Sequence, residues 1–298
     1  MRIAFFTYSE WAFGAIHNAL CKELYRLGIY ANIIDWNKQY SQLEMDAFLE
    51  LYDVFVTVPG NAVPCLLSYG VPYDRIIAIA HGRYDIQSGI SHGNDFNAFK
   101  KYGGVSPDLQ EYSRMLGIDR EMGIAMNGIH FDYFYEKPET KLINIGYGGV
   151  LEYKNPLDQG KDIKRGYLVK QVSDRTGIPV NVVTPRSYMS MPSYYKNVSC
   201  VMVSSTEESC GLPLMEAAAA GRLPLSTPVG VARDYPNSPC SILPFDETDY
   251  VERAFSVLST LQRDSYQYHL NCVEAQDFAR QYYDWSIRIW DWVKLLAY

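Results

Sequence analysis

The chain has 298 residues, 48% hydrophobic and 20% charged, with a formal net charge of -7. That make-up is of an ordinary globular protein of about two domains, and it excludes both a disordered chain and a small disulfide-stapled scaffold. Residues 1–136 hold 10 Lys+Arg and 16 Asp+Glu, and residues 137–298 hold 17 and 18, so neither half offers the basic surface that a nucleic acid requires. The same balance disfavours broad docking on anionic lipid and leaves peripheral membrane contact to a local patch. The opening apolar run ends at Tyr8-Ser9-Glu10, too short for a secretion signal, and no stretch approaches the ~18 residues of a membrane span. Six scattered cysteines, with no C-x-x-C pair, argue against zinc and fit reduced thiols in a cytoplasm.

Arg2-Ile3-Ala4-Phe5-Phe6-Thr7 is a continuous apolar run of strand length. Ala15, Ile16, Ala19, Leu20, Leu24 and Leu27 then recur at helical spacing, with Gly28 as the stop. Strands follow at Ala31–Trp36, Asp53–Val58 and Arg75–Ala80, and helices at Leu43–Leu51 and Pro107–Leu116. A second alternating block holds strands at Leu142–Gly146, Val180–Val183, Val198–Ser204 and Leu223–Ser226, with helices at Gly166–Thr176 and Pro213–Ala220. Strand–helix alternation of this kind predicts parallel sheets covered by helices. Finally, Phe278, Tyr282, Trp285, Ile289, Trp292 and Leu296 form one apolar stripe, read as a single helix of about five turns.

The polar stretch Glu136-Lys137-Pro138-Glu139 suits a hinge, which gives a first α/β domain over 1–137, a second over 138–276 and a terminal helix over 277–298. Doubly wound domains bind ligands outside the carboxyl ends of their strands. Two such domains facing each other would make a cleft.

The window from Ser204 to Gly221 carries the most chemistry. A strand ends, a polar loop turns at Gly211, and a helix begins with Pro213 near its first position. The free N–H groups of such a helix start favour an anion such as a diphosphate. Glu216, placed in the first turn, would either complement the helix dipole or accept hydrogen bonds from a vicinal diol. Glu208, on the loop, is a solvated carboxylate or a group reaching into a cleft.

Ser205-Thr206-Glu207-Glu208-Ser209-Cys210-Gly211-Leu212-Pro213-Leu214-Met215-Glu216-Ala217 resembles the E-x7-E signature of retaining GT-B glycosyltransferases, family four in particular. Leu223 to Gly230 continues the likeness. Val105-Ser106-Pro107, Asn127-Gly128-Ile129-His130 with Phe134, and Tyr283-Asp284-Trp285 match further family segments in order. The resemblance implies two Rossmann-like domains facing across a cleft, with the terminal helix crossing back to the first. It also implies that Glu216 binds ribose, that Glu208 contacts the donor sugar, and that Ser209, Cys210, Gly211 and Leu212 offer backbone N–H groups to sugar and diphosphate. His81, in Ala80-His81-Gly82, resembles the histidine facing the donor sugar; as a lone residue it reads equally as a core or surface histidine. Gly14 resembles the glycine loop after the first strand, although Trp11-Ala12-Phe13-Gly14 replaces the usual double glycine.

One departure stands out. The family places an Arg, and about five residues later a Lys, on the diphosphate after the first strand of the second domain. Here Val150 stands at the Arg position, followed by Lys154, Lys161, Lys164 and Arg165. Lys164-Arg165 before Gly166 reads either as the cationic pair displaced or as a solvated basic loop. No Asp-x-Asp, P-loop, G-x-S-x-G or complete dinucleotide fingerprint occurs.

The resemblance therefore implies retaining transfer from a nucleotide-diphosphate-sugar, a co-substrate and not a cofactor, to a carbohydrate, glycan or glycolipid hydroxyl, with no metal required. A non-catalytic nucleotide-sugar-binding or scaffold protein, or a nucleotide-sugar epimerase or hydrolase on the same scaffold, are the alternatives.

Overall fold

The computed structural model describes residues 1–297 apart from 150, 152–162, 184–187 and 236, and leaves out the side chains of 11 and 12. Val150, Lys154 and Lys161 lie outside the described residues. The chain forms two compact units, Met1–Gly128 with Trp285–Tyr298, and Ile129–Asp284.

Unit 1 runs β1 (Arg2–Thr7), α1 (Trp11–Arg26), β2 (Tyr30–Asp35), α2 (Gln42–Leu51), β3 (Val54–Thr57), α3 (Ala62–Ser68), β4 (Ile76–Ala80), α4 (Arg83–Ser91), β5 (Lys101–Gly104), α5 (Pro107–Met115) and β6 (Gly123–Ile124). Among the described residues these strands form one parallel sheet in the order β2-β1-β3-β4-β5-β6. β3 and β4 are buried on every residue, as central parallel strands covered on both faces must be, while edge strand β2 buries only Ala31 and Ile34. Helix starts follow local chemistry: Ser41 and Glu44 close a capping box on α2, and Pro107 opens α5. The chain reverses direction across the sheet between β1 and β3, so the carboxyl ends of those strands flank a switch point.

Unit 2 contains α6 (Phe131–Phe134), β7 (Ile145–Tyr147), α7 (Gly166–Thr176), β8 (Val180–Val182), α8 (Met191–Tyr195), β9 (Cys200–Val203), α9 (Leu212–Ala219), β10 (Leu223–Ser226), α10 (Val231–Asp234), β11 (Ser241–Ile242), α11 (Glu247–Arg263) and α12 (Ser265–Tyr282). Its strands pair in parallel, in the order β11-β10-β9-β7-β8. Here the switch point falls between β7 and β9. Leu142, Ile145, Leu168, Val172, Met202, Leu225 and Leu258 belong to the core that α7, α11 and the sheet enclose.

The terminal apolar stripe is not one helix. α12 ends at Tyr282 and α13 (Trp285–Ala297) begins three residues later, in unit 1, where it packs on α1, β5 and β6. The break has a cause: the Tyr283 carbonyl accepts from Ile129 N–H at 2.9 Å, and the Asp284 carboxylate accepts from Phe131 N–H at 2.9 Å. The chain is pinned there. The first crossing lies at Gly128–Ile129 and not at 137, because α6 packs against α8 and α9 of unit 2. Among the described residues no helix is long and apolar enough to cross a membrane.

Candidate functional site

The loop from Ser204 to Gly211 leaves β9 at the unit 2 switch point and leads into α9. Gly211 caps that helix at φ +80°, a left-handed conformation that costs a side-chain-bearing residue energy and glycine little. Leu212 is the first helical residue and Pro213 the second, so the missing N–H of proline falls where no helical partner exists. The Cys210 carbonyl accepts from Val231 N–H at 2.8 Å, and the Cys210 thiol lies buried 3.5 Å from the Met215 sulfur. Ser209 is partly buried beside it.

The stretch 163–165 is stitched to this loop. Thr206 N–H donates to the Ile163 carbonyl at 2.9 Å, and Ser204 Oγ donates to the Lys164 carbonyl at 2.7 Å. Thr227 Oγ1 holds the Ser205 carbonyl at 2.5 Å from the other side. The two cations expected to act together diverge. Lys164 Nζ pairs with Glu208 Oε1, which also accepts from Ser205 Oγ at 2.8 Å. Arg165 is only 5% exposed; its guanidinium donates to the carbonyls of Ser204 at 2.8 Å and Phe245 at 2.6 Å. Arg165 is thus engaged in holding the loop, and Lys164 is the one paired at Glu208. The φ of +45° at Arg165, rare for a residue with a side chain, is held by its contacts with the Ser204 and Phe245 carbonyls.

Glu216 lies at the fifth position of α9, past the first turn, so the dipole-complementing role is lost. Its side chain is buried, and Tyr195 Oη donates to Oε2 at 2.7 Å. Burial pushes the carboxyl up to about 7 against the opposing pull of that hydroxyl.

In unit 1, His81 follows β4. Its N–H and that of Gly82 donate to the Asp85 carboxylate at 2.7 and 2.9 Å, a capping arrangement that starts α4. Burial raises Asp85 to about 6 even so. The His81 ring lies 4.8 Å from Phe13, 5.2 Å from His17 and 6.3 Å from Trp292. Burial, and then the neighbouring His17, drive the His81 pKa well below 6.5; burial takes His17 to about 4. Both imidazoles are neutral at neutral pH. Gly14 is not on a loop: it is the fourth residue of α1, where a Cβ would stand 2.0 Å from the Ser9 carbonyl oxygen. Only a bare backbone fits.

Sequence reasoning overlooked Tyr195, Ser205, His17 and Asp85. Asp85 had a local signal, an acidic residue three after Gly82 at a helix start. Tyr195 and His17 had none, since Tyr195 meets Glu216, and His17 meets His81, only through the fold.

No protein-family model matches the chain, and no curated protein matches it. Solved structures do. Anabaena HepE, in a complex with UDP and glucose, superposes with a TM-score of 0.71 at 11% identity, over 100% of this chain and 99% of that one. A glycosyltransferase from Rickettsia africae gives 0.70 at 13% identity, over 98% and 97%. Sucrose-phosphate synthase from Thermosynechococcus elongatus gives 0.65 at 13% identity, over 99% and 98%. These likenesses establish the fold: the α/β, GT-B class expected from the sequence.

Proposed function

We propose that the protein is a cytoplasmic glycosyltransferase that moves a sugar from a nucleotide-diphosphate-sugar to a carbohydrate, glycan or glycolipid hydroxyl. We infer retention at the anomeric carbon and no requirement for a metal. The observation that carries this reading is the loop 204–211 at the unit 2 switch point, with the Lys164–Glu208 pair on it and Glu216 on the helix that it enters. The shared fold of sugar-nucleotide proteins such as HepE supports it.

In this reading Glu216 accepts the ribose hydroxyls, and the N–H groups from Ser209 to Leu212 bind the diphosphate and sugar. Lys164 moves from Glu208 onto the diphosphate, which leaves Glu208 to take sugar hydroxyls. The bond from the anomeric carbon to the diphosphate oxygen breaks as the acceptor oxygen closes on the same face. The acceptor proton passes to the leaving oxygen, so no side-chain nucleophile is needed. Lys164 and the helix N–H groups stabilise the charge that develops on the diphosphate. Arg165 acts by holding the loop. The sequence has no Asp-x-Asp pair, so transfer is expected to persist in excess EDTA.

A melting-temperature screen against nucleoside diphosphates and their sugars tests the reading. A ligand at ~100 times its dissociation constant stabilises by roughly 2.7 kcal/mol, a shift of several degrees. No shift with any of them would contradict it. The engagement of Arg165 with main-chain carbonyls favours, as a second reading, a binding protein without turnover. Nucleotide binding with no transfer from any donor would decide for that.

A further inference from the structure

We propose that Tyr195 is a positioning residue that fixes the carboxylate of Glu216 for the ribose hydroxyls, an assignment that rests on the function proposed above. The geometry is closed on every side. Tyr195 ends α8 with 1% exposure, and its carbonyl accepts from Arg222 Nε at 2.8 Å. Its ring packs edge-on against Phe134 at 5.8 Å and Tyr194 at 5.2 Å. The hydroxyl therefore has one place to go, and it points at Glu216 Oε2. With one oxygen pinned, the plane of the carboxyl group and the direction of Oε1 are set before any ligand arrives. Pre-orientation of this kind lowers the entropy lost on binding.

The same hydrogen bond bears on ionisation. Burial disfavours the carboxylate, and a phenol donor favours it. Facing Glu216 are Tyr195 and Tyr188, both phenols that burial keeps protonated at neutral pH. On the elements packed against α9, α6 carries an exposed Asp132, and α10 carries Arg233 and Asp234, which pair with each other. α12 contributes to its packing on α9 the uncharged amide of Gln276, which donates to the Ala219 carbonyl, and buried Arg222, just past the end of α9, is engaged by the carbonyls of Tyr195 and Lys137. Tyr195 is thus the neighbour whose removal changes the charge on Glu216.

The test is calorimetric titration of UDP, as probe, into the full chain from pH 5.5 to 9. Wild-type affinity should rise through a midpoint near 7, since only the ionised carboxylate accepts from both ribose hydroxyls. Tyr195→Phe should move that midpoint up by about one pH unit, the worth of one hydrogen bond, and weaken binding about fivefold at pH 7. Glu216→Gln should remove the step near 7 and leave only the step at about 6 that the terminal phosphate of UDP itself contributes. Loss of affinity in Tyr195→Phe by the same factor at every pH, with the midpoint unmoved, would overturn the assignment and leave a packing role. A ¹³C titration of the Glu216 carboxyl in the ligand-free protein reads the same shift directly, and an unmoved carboxyl would also overturn it. Absence of UDP binding by the wild type at every pH, with the carboxyl shift intact, would instead overturn a UDP site and with it the ribose half of the assignment.

Discussion

At the carboxyl end of the first sheet, two imidazoles lie side by side, His17 beside the last residue of β1 and His81 just after β4, with Phe13 and Trp292 around them. At the carboxyl end of the second, the polar groups are a buried carboxyl, Glu216, and the pair Lys164–Glu208. Burial acts on both ends through one rule, the cost of charge in a poorly solvated place, with opposite consequences for bases and acids. The bases become neutral at neutral pH, and the acid is poised between its two forms. The first edge holds neutral imidazoles; the second holds a paired Lys164–Glu208 and a carboxyl at the verge of ionisation.

That contrast predicts opposite pH responses. Glu216 has its folded pKa raised from 4.5 to about 7, so its contribution to stability is complete below pH 4.5 and is lost as pH rises through 7. Glu216→Gln should therefore gain on the wild type by an amount on the order of 3 kcal/mol between pH 4.5 and 8. His17 has its folded pKa lowered from 6.5 to about 4, so stability is lost as pH falls through that window. His17→Gln should gain a similar amount on the wild type between pH 6.5 and 4. Asp85, raised to about 6, acts in the direction of Glu216 and is common to the wild type and both variants. Denaturant melts across pH measure these differences; parallel curves for either variant and the wild type would break the comparison.

A smaller effect sharpens it on the binding side. Glu216→Ala should weaken nucleoside diphosphate binding ten- to hundredfold, or ~1.5–3 kcal/mol, by removing a charged acceptor. Unchanged affinity in a folded variant would show that the carboxyl serves packing alone.

What was legible in the sequence was local. α7 occupies the expected Gly166–Thr176, because its apolar spacing is helical and Gly177 ends it at φ +71°. β1 was visible as an unbroken apolar run. α3 escaped notice because Pro64 sits inside its first turn and reads as a breaker, and β5 because Lys101-Tyr102-Gly103-Gly104 has no β-branched residue. α11 escaped although Tyr250, Ala254, Leu258 and Leu261 recur at helical spacing; Asp249, Glu252 and Arg253 break up the apolar run between them. In the site, the loop and helix from Ser204 onward could be placed from the string itself. The Tyr195–Glu216 bond could not, because α8 and α9 meet only through the fold, and neither could the tilted contact of His17 with His81. The divergence of Lys164 and Arg165 also lay beyond the sequence, since two adjacent cations look alike until their carbonyl partners are known.

If the charged edge of the second unit handles a nucleotide-sugar, as proposed, Glu208 serves the sugar and not the nucleotide. Paired measurements of nucleoside diphosphate affinity and sugar transfer on Glu208→Ala, with Glu207→Ala as the adjacent control, test it most directly. Glu208→Ala should keep nearly unchanged affinity and lose transfer at least tenfold, ~1.4 kcal/mol of barrier. Glu207→Ala should stay within about ±0.5 kcal/mol on both measures. Equal losses from the two variants, or a loss of nucleotide affinity as large as the loss of transfer, would contradict it.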